Sequence, residues 1–131
     1  MHANDTNEKI IHRALSYRLN GLLFSVHNEL GRYCREKQYG DAFARSLTAE
    51  GLSFEREKSL PLPLVKNNQT NLADFIVDNK ILVELKAKPV VTKADYLQIQ
   101  RYLQASKIKL GLLINFRSQY LRPIRIIRHN S

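Results

Sequence analysis

Leu72-Ala73-Asp74-Phe75-Ile76-Val77-Asp78-Asn79-Lys80-Ile81-Leu82-Val83-Glu84-Leu85-Lys86-Ala87 reads as two strands joined by a short turn. Leu72–Val77 and Ile81–Ala87 are rich in apolar and β-branched residues, and Asp78-Asn79-Lys80 supplies turn chemistry. Antiparallel pairing across that loop sets Val77 against Ile81, Ile76 against Leu82 and Asp74 against Glu84. Side chains alternate with period two, so Leu72, Asp74, Ile76, Leu82, Glu84 and Lys86 share one face. The other face carries Ala73, Phe75, Val77, Ile81, Val83 and Leu85 and is wholly apolar. Two carboxylates and an ammonium group therefore converge on one spot.

A cross-strand ion pair on a wet face is the ordinary explanation of Glu-x-Lys in a strand. It is weakened here because the charges sit beside Ile76 and Leu82, on a strand that reads as buried on both sides. Charged groups persist at such positions when they are paired or metal-bound. Two adjacent carboxylates repel each other, and a hard divalent cation with oxygen ligands relieves that repulsion. Lys86 beside them would stabilise an anionic substrate or the attacking water.

Outward from the hairpin, the chain is punctuated clearly. Residues 5 to about 30 read as a helix, with Ile10, Ile11, Ala14, Leu15, Leu19, Leu22, Leu23, Val26 and Leu30 at three- and four-residue steps. Asp5 or Thr6 caps its start and Gly31 ends it, while Gly21 marks a bend or a close helix contact. His27 is expected to be a hydrogen-bonding residue at the core edge, since the histidines and Cys34 have no zinc-site spacing. A second helix runs from about Arg35 to Glu50, with Tyr39, Ala42, Phe43 and Leu47 as its apolar stripe. Glu36 at its first turn is explained in isolation by the helix dipole. Phe54–Leu60 is a strand, and Pro61 and Pro63 confine Leu62–Val65 to an edge or irregular strand. Beyond the hairpin, a helix from about Lys93 to Ala105 puts Gln98 and Tyr102 on one face. Lys109–Phe116 and Arg122–Arg128 close the chain as strands. The order α, α, β, β, β, α, β, β predicts an α/β or α+β domain with a mixed sheet.

The chain has 131 residues, 44% of them hydrophobic, which suits a single domain over residues 1–131. Twenty-one lysines and arginines against 12 acids give a net charge of +9. That excess favours a polyanionic partner, nucleic acid first and an acidic membrane surface second. Lys86, Lys88, Lys93, Arg101, Lys107, Lys109, Arg117, Arg122, Arg125 and Arg128 are the candidate phosphate contacts. Cys34 is the one cysteine, so an internal disulfide is excluded and a cytoplasmic location fits. The polar start, Met1–Glu8, has no apolar leader core, and no stretch reaches the length of a membrane span.

Several segments together resemble a known group. Asp74, then nine residues, then Glu84-Leu85-Lys86 resembles the signature of the PD-(D/E)xK nucleases. More closely, the chain is similar to the GxxExxY branch of that superfamily. The matching segments are Val26-His27-Asn28-Glu29-Leu30-Gly31, Glu36-x-x-Tyr39, Ala73-Asp74-Phe75, Val83-Glu84-Leu85-Lys86-Ala87, Gln98 with Tyr102-Leu103, and Gly111-Leu112-Leu113-Ile114-Asn115-Phe116. Two positions depart from the pattern: Tyr33 stands where the branch's leading glycine falls, and Ala73 replaces the proline of the superfamily label.

The resemblance implies a restriction-endonuclease-like αβββαβ core with a mixed sheet flanked by helices. It implies that Asp74 and Glu84 bind Mg2+ or Mn2+, with the Leu85 carbonyl as a further ligand and Glu36 completing the acidic cluster. Lys86 would position the attacking water. Gln98 and Tyr102 resemble the QxxxY element that braces the site, with Tyr39 and Lys88 as further supporting or nucleic-acid-binding residues. The expected activity is metal-dependent hydrolysis of phosphodiester bonds in DNA. Two other readings compete with it: a nucleic-acid-binding module that cuts nothing, and a homodimeric scaffold joined through the long first helix.

Overall fold

The computed structural model describes residues 11–60 and 72–129. Its elements in chain order are α1 (Arg13–Leu30), α2 (Glu36–Ala49), β1 (Phe54–Ser59), β2 (Leu72–Val77), β3 (Ile81–Lys86), α3 (Lys93–Ser106), β4 (Leu110–Asn115) and β5 (Ile124–Ile127). The predicted order is therefore observed. The strands form one sheet in the order β1-β2-β3-β4-β5. Only β3 and β4 run parallel; the other neighbours are antiparallel. A parallel pair needs a crossover, and α3 supplies it between β3 and β4.

The helices divide between the two faces of the sheet. Leu19, Leu23 and Val26 of α1 and Tyr39, Phe43 and Leu47 of α2 pack with Phe75, Val77, Ile81, Val83, Leu85, Leu112 and Ile114. On the opposite face Ile99, Tyr102 and Leu103 of α3 meet Ile76, Leu82, Leu113 and Ile126. Gly111 permits this second contact, because a Cβ there would lie 3.0 Å from the Ile99 Cγ2. β3 and β4 are covered on both sides, which explains their near-continuous apolar sequence.

The hairpin register is as expected, with Val77 opposite Ile81, Ile76 opposite Leu82 and Phe75 opposite Val83. Asp78 and Asn79 turn the chain with left-handed φ angles of 53° and 54°, a region these two residue types tolerate. Past Phe75 the strict alternation breaks. Ala73, expected beside Phe75, packs instead with Ile76 and Leu82 in the second cluster. Opposite Asp74, Glu57 of β1 takes a φ of 54° and drops out of the pairing between Arg56–Phe75 and Lys58–Ala73.

Other expectations are adjusted at the ends. The first helix opens at Arg13, because His12 has a left-handed φ of 49°. Its predicted caps, Asp5 and Thr6, and the strand predicted at Leu62–Val65 lie outside the described residues. Gly21 makes no close contact: a Cβ there would meet nothing within 4 Å, and α1 runs through it unbroken. Arg125, expected on phosphate, instead ties β5 to the start of α1 by donating to the Ser16 Oγ at 3.0 Å and the Ile11 carbonyl at 2.9 Å. Among the described residues no helix is long and apolar enough to cross a membrane.

Candidate active site

The carboxylates of β2 and β3 meet where the ladder between those strands stops. The Asp74 N–H donates to Glu84 Oε1 at 2.8 Å, and the Leu85 N–H donates to Asp74 Oδ2 at 2.8 Å. Side chains thus take up two backbone donors that a continued ladder would have used. Each carboxylate is anchored by one oxygen and retains a second. Glu84 is only 2% exposed. Burial, then the charge of Asp74, pushes its carboxyl up to about 9. Burial raises Asp74 as well, and Glu36 adds to the rise, while the Leu85 N–H and the Lys86 charge oppose it.

The two carboxylates lie between two differently built sides. Toward α2, Asp74, Phe75 and Leu85 open onto a cleft of about 380 Å³ that is also lined by Glu36, Lys37, Gly40, Arg56 and Glu57. Arg56 donates to Asp41 at 2.7 Å and so ties β1 to α2 across this cleft. Toward α3, the Lys86 ammonium donates to Gln98 Oε1 at 3.3 Å and stands 3.9 Å from Asp95 Oδ1. Tyr102 is buried there, and its hydroxyl is raised first by burial and then by the charges of Glu84 and Asp74. The predicted residues are gathered at one end of the sheet, around the strand ends rather than on one flat face. Glu36 is on the exposed rim, near enough for its charge to be felt by Asp74.

Tyr39 is fully buried, so it serves the region from beneath. Its ring stacks on Phe116 with centroids 4.1 Å apart, and its hydroxyl donates to the Gly31 carbonyl at 2.5 Å and accepts from the Cys34 N–H at 3.2 Å. Those bonds fix the loop that delivers Glu36. His27 behaves as expected, bonding the Ser118 carbonyl at 2.9 Å.

Asp95 is the residue that sequence reasoning missed. It is 7% exposed at the start of α3, where it accepts from the Thr92 N–H at 2.7 Å. It also pairs with Lys88 at 2.6 Å. Burial alone would raise its carboxyl, but the Lys88 ammonium and the Thr92 N–H outweigh burial and hold it below the usual range. Lys88 is therefore committed to Asp95, and Asp95 shares in holding Lys86. The spacing Thr92-x-x-Asp95 at a helix start was the available signal.

Carboxylate oxygens of Asp74 and Glu84 come together at the meeting point of β2 and β3, and two adjoining buried carboxylates are an unfavourable arrangement for the protein alone. A hard divalent cation fits that donor set. Among the described residues, no group of three or more His, Cys, Asp or Glu is assembled to hold a metal, so Glu36 does not close around the pair.

Compared with known proteins, residues 13–127 match the family model of the PD-(D/E)XK nuclease superfamily. No curated protein and no solved structure matches.

Proposed function

The chain belongs to the PD-(D/E)XK nuclease superfamily, and from that premise we propose that it is a metal-dependent nuclease hydrolysing phosphodiester bonds in DNA. Within the superfamily we assign it to the GxxExxY branch, on Glu36, Tyr39 and the other segments quoted above. The observation that carries the functional reading is the buried Asp74–Glu84 pair at the end of the β2–β3 ladder, with Lys86 alongside.

Asp74 and Glu84 would hold Mg2+ or Mn2+, helped by the Leu85 carbonyl, with Glu36 on the rim of the cleft adding its charge without closing on them. When bound, the cation supplies positive charge to the phosphate oxygens that gain negative charge during hydrolysis. Lys86 orients the attacking water by hydrogen bonding and adds a second positive charge. Gln98 and Asp95 fix where its ammonium sits. Tyr102 closes the α3 side against bulk water, since it is buried beside both carboxylates. Arg56 and Lys37 line the cleft and would meet the backbone of the nucleic acid entering it.

Plasmid and single-stranded DNA incubated with Mg2+ or Mn2+ test the reading. Cleavage is expected, and Asp74→Ala and Lys86→Ala are each expected to abolish it. Cleavage that survives both substitutions, or that never appears with any DNA, removes the proposal. Salt-sensitive DNA binding without metal uptake would leave a binding module in its place.

A further inference from the structure

We propose that the loop joining α1 to α2 carries a stacking subsite for an unpaired base of a single-stranded DNA substrate, and that Tyr33 is its platform. This rests on the nuclease reading and names the substrate class of that site.

Tyr33 is 75% exposed, so its ring is open to a partner. It is not left there by a slack loop. The Arg32 Nε donates to the Arg117 carbonyl at 2.8 Å, and the Arg117 Nε donates back to the Arg32 carbonyl at 3.2 Å. Tyr39 pins Gly31 on one side of Tyr33 and the Cys34 N–H on the other. The ring is thus presented to solvent by a braced backbone. Two guanidinium groups accompany it, with Arg32 at 5.2 Å and Arg117 at 5.6 Å from the ring centroid. An aromatic surface flanked by fixed positive charge matches a nucleotide, whose base stacks while its phosphate is neutralised.

The position suits the chemistry. Arg117 also donates to the Ala87 carbonyl at 3.3 Å, one residue beyond Lys86. Glu36 opens α2 three residues after Tyr33 and lines the cleft with Asp74. A strand whose phosphate lies at the carboxylate pair would therefore pass this loop. Tyr120, 74% exposed in the bend that follows β4, is a second exposed ring three residues after Arg117.

The preference for a single strand follows from the ring itself. Bases in a duplex are stacked on one another and present only edges and phosphates, whereas an unpaired base can lay its face on a tyrosine. A duplex would use the arginines and gain nothing from Tyr33.

The test is fluorescence anisotropy with labelled oligothymidylate and with a blunt-ended DNA duplex of equal length, in EDTA so that nothing is cut, at fixed salt. Tyr33→Ala is expected to weaken oligothymidylate binding by about tenfold, the loss of one base-stacking contact, and to leave duplex binding unchanged. Tyr33→Phe should bind like the wild type and Tyr33→Leu like Tyr33→Ala, which separates stacking from simple bulk. Unchanged oligothymidylate binding by Tyr33→Ala, or an equal loss on both DNAs, overturns the subsite. The same oligothymidylate incubated with Mn2+ reads the nuclease proposal separately. A wild type that cuts nothing yet discriminates through Tyr33 keeps the subsite and loses the nuclease. One that cuts in an Asp74-dependent manner with no role for Tyr33 in binding does the reverse.

Discussion

A carboxylate as enclosed as Glu84, set beside a second carboxylate, destabilises the fold around it whenever both are ionised. The raised carboxyl of Glu84 means that the folded protein holds a proton that the unfolded chain gives up near the ordinary glutamate range. The corresponding stability is complete below that range and is lost as pH rises toward about 9. In EDTA, the melting temperature of the wild type should therefore fall across that interval. Glu84→Gln should flatten the fall, and should raise stability at the alkaline end while abolishing cleavage. A wild type whose melting temperature is flat with pH would contradict the buried-pair account. Asp95 makes the opposite case. Its carboxyl is lowered, so its contribution is present above the usual aspartate range and is lost on acidification. Asp95→Asn should cost about 1–2 kcal/mol in denaturant unfolding at neutral pH, through a weakened helix start and a half-exposed Lys88 ammonium left without its partner. Cleavage should fall too, because Lys86 loses one of its two holds. That Asp74 and Glu84 meet was legible in the sequence, because the turn residues and the hairpin register set them across from each other, although the alternation that put them on one face breaks past Phe75. Asp95 was not, because its importance depends on α3 docking where Lys86 and Lys88 can both reach it.

Among the elements, the helices and strands were read with small errors at their ends, apart from the first helix, expected from residue 5 and opening at Arg13, since hydrophobic periodicity and the flanking glycines carried them. What escaped was the break in alternation at Ala73. It arises because the carboxylates take over backbone donors from the ladder, and no strand pattern encodes that exchange. Two glycines offer a contrast that tests the packing directly. Gly111→Ala forces a methyl against Ile99 where α3 rests on β4, and should destabilise by about 1–3 kcal/mol. Gly21→Ala enters open space on a continuous helix and should stabilise by up to about 1 kcal/mol. Urea unfolding of both variants checks this; equal effects would mean that the α3–β4 contact is looser than described.

For the whole molecule, the net charge of +9 pointed to a polyanion before any site was visible. The fold then shows that positive charge is not one uniform surface. Arg125 secures α1 to β5 and Lys88 is committed to Asp95, whereas Arg56 and Lys37, which share Asp41, line the cleft. DNA binding should weaken steeply with salt, by a slope of about 0.9 per phosphate contact on duplex DNA, and Lys37→Ala should reduce that slope. Titrations across a salt series would show it, and a flat response would argue against a phosphate-lined path.

The central claim is that Asp74 and Glu84 are brought together to hold one divalent cation. Isothermal calorimetry of Mn2+ binding to the wild type, Asp74→Ala and Glu84→Gln tests it most directly. One site in the wild type, lost in both variants, is the predicted result; a wild type that takes up no Mn2+, or variants that bind it equally well, would contradict the account.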